Sequence, residues 1–254
     1  MRCYGKAERL TPLVRRVVAP NPGPMTGEGT NSYLVGKSEI VVVDPGPAIP
    51  EHIDALQDLA EGEIRWIFCT HTHPDHSPAA ALLKERTGAK VVGALADDGL
   101  HQDTSFCPDL EISHDALVSG LDWDLRAVWT PGHVSNHYCY LLEQESIIFA
   151  GDHIMNGSTV VIVPPGGNMR DYINSLKRLL DYKIKQIAPG HGGLISDCKA
   201  EVEKLVAHRL GREEKVLLGL EIVGPANLDE LVLVVYQDVD TSLHEWAKLS
   251  MKAH

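Results

Sequence analysis

The sequence predicts an α+β fold in which two β-sheets are flanked by helices. Short apolar runs typical of strands end repeatedly at glycine, histidine or aspartate. Helical patterns follow strand-like runs in the second half of the chain, and hairpin-like segments elsewhere favour antiparallel pairing. At 254 residues, the chain can bury one sizeable core and still carry a small appendage.

The individual elements follow from periodicity and from the residues that bound them. β-branched and aromatic runs bounded by turn residues indicate strands. Helices are indicated by apolar residues at helical spacing and by capping residues, such as Ser77 before the second helix. The predicted elements are, in order, a hairpin at Thr30–Val43, a helix at Pro50–Leu59, a strand at Ile64–Cys69, a helix ending at Gly88, strands at Val91–Ala94 and Leu125–Val128 separated by a long loop at Asp97–Gly120, strands at Ser146–Ala150 and Ile184–Ala188, and, between these two strands, a helix at Asp171–Tyr182.

The most informative segment is His71-Thr-His73-Pro-Asp75-His76, directly after the strand-like run that ends at Cys69. Neutral imidazole and carboxylate are ligands that suit Zn²⁺ and similar cations. Because alternate residues of an extended segment point to one side, His71 and His73 can hold one ion together. Asp75 and His76 can then reach a second ion nearby. The alternative interpretation is a polar loop whose histidines are solvated.

Three further candidate ligands each follow a strand-like run and stand beside a glycine. They are His133, Asp152 and His191. An isolated His or Asp at a strand end is more often a hydrogen-bonded surface residue. Three of them, together with the histidine-rich loop, instead indicate a centre with two zinc ions. The predicted ligands are His71, His73 and His133 for one ion, Asp75, His76 and His191 for the other, and Asp152 as the bridge.

In this order and spacing, the motifs resemble the metallo-β-lactamase superfamily, whose fold is an αββα sandwich with the metals at one edge. The resemblance covers about residues 10–200. Segments such as Gly29-Thr-Asn-Ser-Tyr-Leu-Val-Gly36 and Leu243-His-Glu-Trp-Ala-Lys248 resemble its β-lactamase-like branch. That branch includes an animal mitochondrial endoribonuclease of single-stranded RNA. The substrate does not follow from the resemblance, because one fold hosts many reactions.

The resemblance also implies a division of the chain. Residues 1–198 correspond to the catalytic domain, and residues 199–254 form a small, apparently abbreviated helical appendage that resembles part of a winged-helix domain. Helices are predicted there at Lys199–Leu220, Leu228–Tyr236 and Leu243–His254. We expect residues 221–254, the tail, to carry no chemistry, and to cover an apolar surface or to help form a homodimer.

The implied function is hydrolysis by a metal-bridging hydroxide, which Asp75 orients as the catalytic residue. The first candidate activity is that of a nuclease acting on single-stranded RNA, although a net charge of −12 is unusual for such an enzyme. A thioesterase or lactonase of the glyoxalase II type, with the same centre and a small-molecule substrate, is the alternative. A mononuclear iron sulfur dioxygenase is the third.

Residues around the ligands also have predicted roles. In the superfamily, the aspartate at the position of Asp44 supports the metal loop by hydrogen bonding. An ordinary turn-forming aspartate is the alternative. His153 is expected to be structural. The candidate substrate-pocket residues are Thr26, Asn31, His137, Tyr172 and Ser175.

Cysteine usage and hydropathy predict a cytoplasmic protein. The five cysteines are scattered and include no close pair, which favours a reducing compartment over a disulfide framework. The N-terminus does not resemble a signal peptide, and no apolar run is long enough to cross a membrane.

Overall fold

A computed structural model describes residues 4–97 and 101–253 and arranges their strands in two sheets. The first three residues of the predicted catalytic domain, residues 98–100 of the predicted long loop, and His254 at the end of the last predicted helix lie outside the described residues. The first sheet has the spatial order β1 (Ala7–Arg9), β2 (Val14–Val18), β3 (Asn31–Val35), β4 (Glu39–Val43), β5 (Glu63–Phe68), β6 (Lys90–Gly93) and β7 (Leu110–Glu111). The second has the order β12 (Gln186–Pro189), β11 (Ile147–Gly151), β10 (Tyr138–Leu142), β9 (Asp124–Trp129) and β8 (Leu117–Ser119).

Both sheets mix antiparallel and parallel pairing. Strands β1 to β4 pair antiparallel, and β4 to β7 pair parallel. In the second sheet, β8 to β11 pair antiparallel and β11 pairs parallel with β12. Strands β9, β11 and β12 therefore run in one direction, so their carboxyl ends lie at one edge of the second sheet.

Helices cover the outer face of each sheet. They are α1 (Pro50–Asp58), α2 (Ala79–Thr87), α3 (Met169–Arg178), α4 (Cys198–Val223), α5 (Leu228–Val235) and α6 (His244–Ala253), with 3₁₀ turns at Leu179–Asp181 and Thr241–Leu243. Apolar side chains of α1 and α2, such as Leu56 and Leu83, pack with the first sheet. Leu176 of α3 and Val202 of α4 pack with the second. A third apolar layer, which includes Phe68 and Phe149, lies between the sheets. The predicted αββα sandwich is confirmed.

Three details differ from the prediction. The second helix begins at Ala79, and Ser77 does not cap it, because its hydroxyl donates to the carboxylate of Asp103 at 2.7 Å instead. The predicted long loop contains the short strands β7 and β8. The helix predicted at Asp171–Tyr182 spans Met169–Arg178 instead, and the 3₁₀ turn that follows it leaves Leu180 exposed.

The C-terminal region is helical, as predicted, and begins with α4 at Cys198. Val202 and Leu205 of α4 pack on the core, whereas Leu210 and Leu217, farther along the same helix, are about half exposed. Beyond α4 the described residues form no strand. The division into two domains and the homodimer stay predictions. Within the described part of the chain, no helix is long and apolar enough to span a membrane.

Candidate metal centre and cavity

All seven predicted ligands lie at the same edge of the sandwich, because each follows a strand that ends there. The histidine-rich loop follows β5, and His133 follows β9. Asp152 and His191 follow the parallel neighbours β11 and β12. Side chains that are up to 120 positions apart in sequence, from His71 to His191, are thereby brought together.

The first group of candidate ligands consists of His71, His73 and His133. Nε2 of His71 and Nε2 of His133 each lie 3.0 Å from Nδ1 of His73. Nδ1 of His133 lies 2.7 Å from the carbonyl oxygen of Val161, to which it donates, so that its Nε2 lone pair points to the cluster. The three nitrogen atoms thus converge as the prediction required.

The second group consists of Asp75, His76, Asp152 and His191. Nε2 of His191 lies 3.2 Å from a carboxylate oxygen of Asp75 and 3.3 Å from Oδ1 of Asp152. Oδ2 of Asp152 lies 3.8 Å from Nε2 of His133, in the first group. The carboxylate of Asp152 therefore stands between the two groups, where the prediction placed a bridge.

The donor set fits one cation in each group. The donor atoms of each group lie within 4.8 Å of one another. Nε2 of His76 and Oδ1 of Asp152 are buried and make no hydrogen bond among the described residues, which is costly unless another group satisfies them. Imidazole nitrogen and carboxylate oxygen are the donors that Zn²⁺ and its neighbours in the transition series accept. Each group therefore offers donors that fit a divalent ion.

Glycines let the backbone approach these donors closely. A Cβ atom on Gly190 would lie 2.7 Å from the His76 ring and 2.8 Å from Oδ1 of Asp152. Gly151 has a φ of 46°, which L side chains rarely adopt, and a Cβ there would lie 2.4 Å from Oγ1 of Thr70. A larger residue at position 190 would therefore displace two candidate ligands, and one at position 151 would displace Thr70, which supports them.

Burial controls the protonation of the first group. It is the main cause that lowers the pKa of His71, His73 and His133, and neighbouring imidazoles contribute to the lowering for His71 and His73. With all these causes together, the pKa of His73 is about 3. All three rings are consequently neutral at physiological pH, which is the form that binds a cation.

The second group is electrostatically different. Burial alone would lower the pKa of His76 and His191, but the carboxylates of Asp75 and Asp152 outweigh burial and raise both values. The same interactions hold the pKa of Asp152 well below its usual range, although burial opposes this shift. A cation bound here would replace the protons of the imidazoles as the counter-charge to the two carboxylates.

Asp44 makes the hydrogen bonds that its predicted supporting role requires. Its carboxylate accepts from the Thr70 amide at 2.7 Å and from the Thr70 hydroxyl at 2.8 Å, and lies 2.9 Å from Nδ1 of His76. The Thr70 hydroxyl in turn lies 3.0 Å from Nδ1 of His71. One buried carboxylate therefore orients a ligand of each group.

Comparison with known proteins agrees with this geometry. Residues 25–191 match the metallo-beta-lactamase superfamily. The chain belongs to this superfamily. A beta-lactamase-like protein 2 homolog of Drosophila melanogaster is 30% identical over 260 residues, which cover 97% of this chain and 87% of the relative. The predicted β-lactamase-like branch is thereby confirmed.

Two other similar proteins add to the comparison. An atrochrysone carboxyl ACP thioesterase of Aspergillus fumigatus is 31% identical over 221 residues, 84% of this chain, and the match spans 66% of that relative. A beta-lactamase domain protein from Burkholderia ambifaria has the same fold, with a TM-score of 0.83 at 19% identity, covering 100% of this chain and 88% of that structure.

A cavity of about 480 Å³ opens onto the metal-binding edge of this superfamily member. His73, Asp75, His133 and Asp152 form its polar floor. Lys and Arg are absent from the described residues that line it. Most of the wall is apolar, with side chains that include Met25, Val134, Met155, Val160, Trp246 and Leu249.

Three of the predicted pocket residues lie behind the ligands and not in this cavity. Asn31, Tyr172 and Ser175 are buried, and each donates from its side chain to a backbone carbonyl of a ligand-bearing loop. The acceptors of Tyr172 and Ser175 lie in the loops that follow β11 and β9, and Asn31 donates to the last residue of β12 and to Gly192 in the loop after it. The hydrogen bonds of these side chains therefore stabilise the loops, and the side chains are not exposed to a substrate.

The other two predicted pocket residues also lie outside the cavity. The hydroxyl of Thr26 donates to the carbonyl of Asn21, and it is the neighbouring Met25 that lines the cavity. His137 is fully buried, with Nδ1 2.8 Å from the Thr130 hydroxyl. Burial, together with the adjacent His153, lowers the pKa of His137 well below its usual value, so its ring is neutral.

The tail, which we expected to carry no chemistry and to cover an apolar surface or form a dimer, also contributes side chains to this cavity. Trp246 and Leu249 of α6 line the same cavity as His73 and Asp152. The sequence feature that could have indicated this contact is Trp246, a large apolar residue on a short helix of which few residues are buried. Periodicity alone could not show which surface α6 would face.

Proposed function

We propose that the chain is a zinc-dependent hydrolase that holds two zinc ions and cleaves the thioester or ester bond of an apolar acyl compound in the cytoplasm. The observation that carries this proposal is the cavity, which joins the two groups of ligands to an apolar wall. A metal centre at the floor suits a polarisable carbonyl, and an apolar wall suits the acyl group attached to it.

The electrostatics favour an acyl substrate over single-stranded RNA. Proteins that bind RNA contact its phosphates with Lys and Arg. The net charge of the chain is −12, and neither residue type occurs among the described residues that line the cavity. The RNA hypothesis is therefore kept as the competing outcome of the test.

The named activity of one relative supports the same substrate class. The Aspergillus fumigatus protein, at 31% identity, is named as a thioesterase that acts on a carboxyl group carried by ACP. The present chain has the donor set and an apolar cavity that such a reaction needs, and from this we infer a thioester as the first substrate to assay.

The chain's own residues have distinct tasks in this reaction. Zinc ions held by the two groups of ligands would lower the pKa of a bound water molecule and polarise a substrate carbonyl. Burial alone would raise the pKa of Asp75, but His76 and His191 outweigh burial and lower it. Asp75 is thus a carboxylate at neutral pH and can accept a hydrogen bond from the attacking water. Water adds to the acyl carbon, the carbon–sulfur bond breaks, and a carboxylic acid and a thiol result.

Metal analysis and parallel substrate assays test the proposal. Purified protein should contain two zinc ions per chain and should release thiol from acyl thioesters of N-acetylcysteamine. Labelled single-stranded RNA and an aliphatic lactone serve as comparison substrates. Chelation with a zinc-selective reagent should abolish thiol release, and added Zn²⁺ should restore it.

Other results would contradict the proposal. Cleavage of RNA without thioester or ester hydrolysis would establish the nuclease. One iron per chain, with oxygen consumption in the presence of a persulfide, would establish the sulfur dioxygenase. The exposed variant Asp58→Ala is a suitable control, because Asp58 lies at the end of α1 and outside both groups of ligands.

A further inference from the structure

Helix α6 presents two different faces, and only one of them is used for packing within the tail. Ala247 and Met251 are buried against Leu231 and Val235 of α5. Trp246 and Leu249, three positions apart and therefore neighbours on the helix surface, line the cavity. The side of α6 that faces the metal centre is thus apolar although it is not part of a packed core.

Trp246 is large, apolar and 46% exposed. Met25, from the loop before β3, lines the same cavity and is 49% exposed. Exposed apolar side chains that converge on a concave surface are typical of a ligand-binding wall. These side chains stand opposite a floor that contains His73 and Asp152, where the carbonyl of a substrate would have to lie.

The position of α6 is fixed at both of its ends. Near its start, Nε2 of His244 donates to the carbonyl oxygen of Val239 at 3.2 Å, and Lys248 forms an ion pair with Asp229 at 2.5 Å. At its other end, Ala253 packs against the apolar core between α3 and the second sheet. The helix therefore offers a defined wall and not a loosely attached segment.

We propose that Trp246 and Leu249 of α6 bind the distal, apolar part of the acyl group and thereby determine which acyl chain lengths the enzyme hydrolyses. This inference depends on the proposed acyl hydrolase function. The tail is then a specificity element of the active site. Each methylene group that the wall removes from water should improve KM by about fourfold, until the cavity is filled.

The test compares variants over a series of acyl chain lengths. Acetyl, butyryl, hexanoyl and octanoyl thioesters of N-acetylcysteamine are assayed with wild type, Trp246→Ala and Leu249→Ala. Trp246→Ala should raise KM for the octanoyl substrate at least tenfold and leave KM for the acetyl substrate within twofold. Leu249→Ala should show the same trend with about a threefold effect. Zinc content should not change in either variant.

The matched control is Leu233→Ala. Leu233 lies on α5, is 61% exposed and does not line the cavity. Its replacement should leave the dependence on chain length unchanged. An equal change in KM for all chain lengths in Trp246→Ala, or no change for any of them, would overturn the proposal.

A binding experiment separates failure of this proposal from failure of the proposed function. Calorimetry measures the affinity of the zinc-loaded protein for octanoate and for acetate, with no turnover required. Tighter binding of octanoate that Trp246→Ala weakens at least fivefold would support the wall even if no thioester is hydrolysed. Equal octanoate binding by wild type and Trp246→Ala would contradict it even if thioesters are hydrolysed.

Discussion

The cavity lies between two regions of the molecule, the loops at the sheet edge and helix α6, and these regions are held in place in different ways. At the sheet edge, His71 and His76 are buried, and each lies in a network of short hydrogen bonds that includes Asp44. Helix α6 packs mainly on α5, and Trp246 remains half exposed. Buried polar networks are sensitive to the loss of any one member, whereas an exposed apolar side chain can be replaced at little cost in stability.

Metal binding and substrate selection should therefore depend on different residues of the same cavity. Changes at the sheet edge should alter metal content and all activities together. Changes on α6 should alter substrate preference without altering metal content.

The largest effect is expected for Asp152→Ala. Asp152 stands between the two groups of ligands, so its loss removes a donor from both ions. We expect at least a tenfold loss in metal affinity or turnover, by analogy with the loss of residues that orient ligands. Zinc content by mass spectrometry and thioester turnover measure this. Full zinc occupancy with unchanged turnover would show that the ligand assignment is wrong.

A smaller effect is expected for Asp44→Asn. The amide keeps the size of the side chain and tolerates the φ of 50° at this position, but it cannot accept hydrogen bonds at both of its terminal atoms. Because Asp44 orients His76 and Thr70 and does not itself belong to either group of ligands, zinc affinity should fall by no more than about tenfold. Competition with a chromophoric chelator measures it. A normal affinity would mean that the ligands hold their orientation without Asp44.

Two arginines on α4 allow a matched comparison between the regions. Arg209 is buried and donates to the carbonyl of Val160, a cavity residue, at 2.6 Å. Arg212 instead contacts the tail, through the carbonyl of Val235 at 2.9 Å and the carboxylate of Asp238 at 3.0 Å. Loss of either should lower the free energy of unfolding by about 1–3 kcal/mol.

Arg209→Ala should also have the larger effect on catalysis. The carbonyl next to that of Val160, in Val161, orients His133. Displacement of this loop should therefore raise KM for the octanoyl thioester about tenfold, which corresponds to about 1.4 kcal/mol. Arg212→Ala should raise KM by a smaller factor, because Arg212 contacts the segment that leads to α6 and no residue that lines the cavity. Equal KM values for the two variants would show that α4 supports the fold without positioning the cavity wall.

The smallest effect concerns stability against pH, through His52. Burial lowers the pKa of His52 from 6.5 to about 4, and its Nε2 lies 2.9 Å from the Ser32 hydroxyl. As the pH falls below 6.5, the unfolded chain takes up a proton that the folded chain does not, so stability is complete above pH 6.5 and is lost towards pH 4.

Replacement of His52 by Gln should remove this part of the pH dependence. Between pH 6.5 and pH 5, wild type should lose about 2 kcal/mol more unfolding free energy than His52→Gln. Urea unfolding in the presence of a chelator measures this difference without a contribution from metal release. The exposed His114→Gln variant should behave as wild type. A parallel pH dependence in His52→Gln and wild type would contradict the burial argument.

The positions of the candidate metal ligands were predictable from the sequence alone. Ligands such as His133 and Asp152 each follow a strand, and strands that run in one direction end at one edge of a sheet, so local pattern and topology together place the ligands. The helix boundaries in the tail were also predictable, since Asn227 caps α5 through both of its capping hydrogen bonds. These features depend on residues that are close in sequence or on a repeated local rule.

Which residues line the cavity was visible only in the tertiary structure. Asn31 and Ser175 are polar residues near the ligands in the fold, yet hydrogen bonds to backbone carbonyls turn them away from the substrate side. Trp246 follows His73 by 173 positions and reaches the cavity because α4 and α5 pack so as to carry α6 there. The direction of a side chain and the docking of a terminal helix depend on the sum of many weak contacts between distant segments. No local pattern in the sequence contains that information.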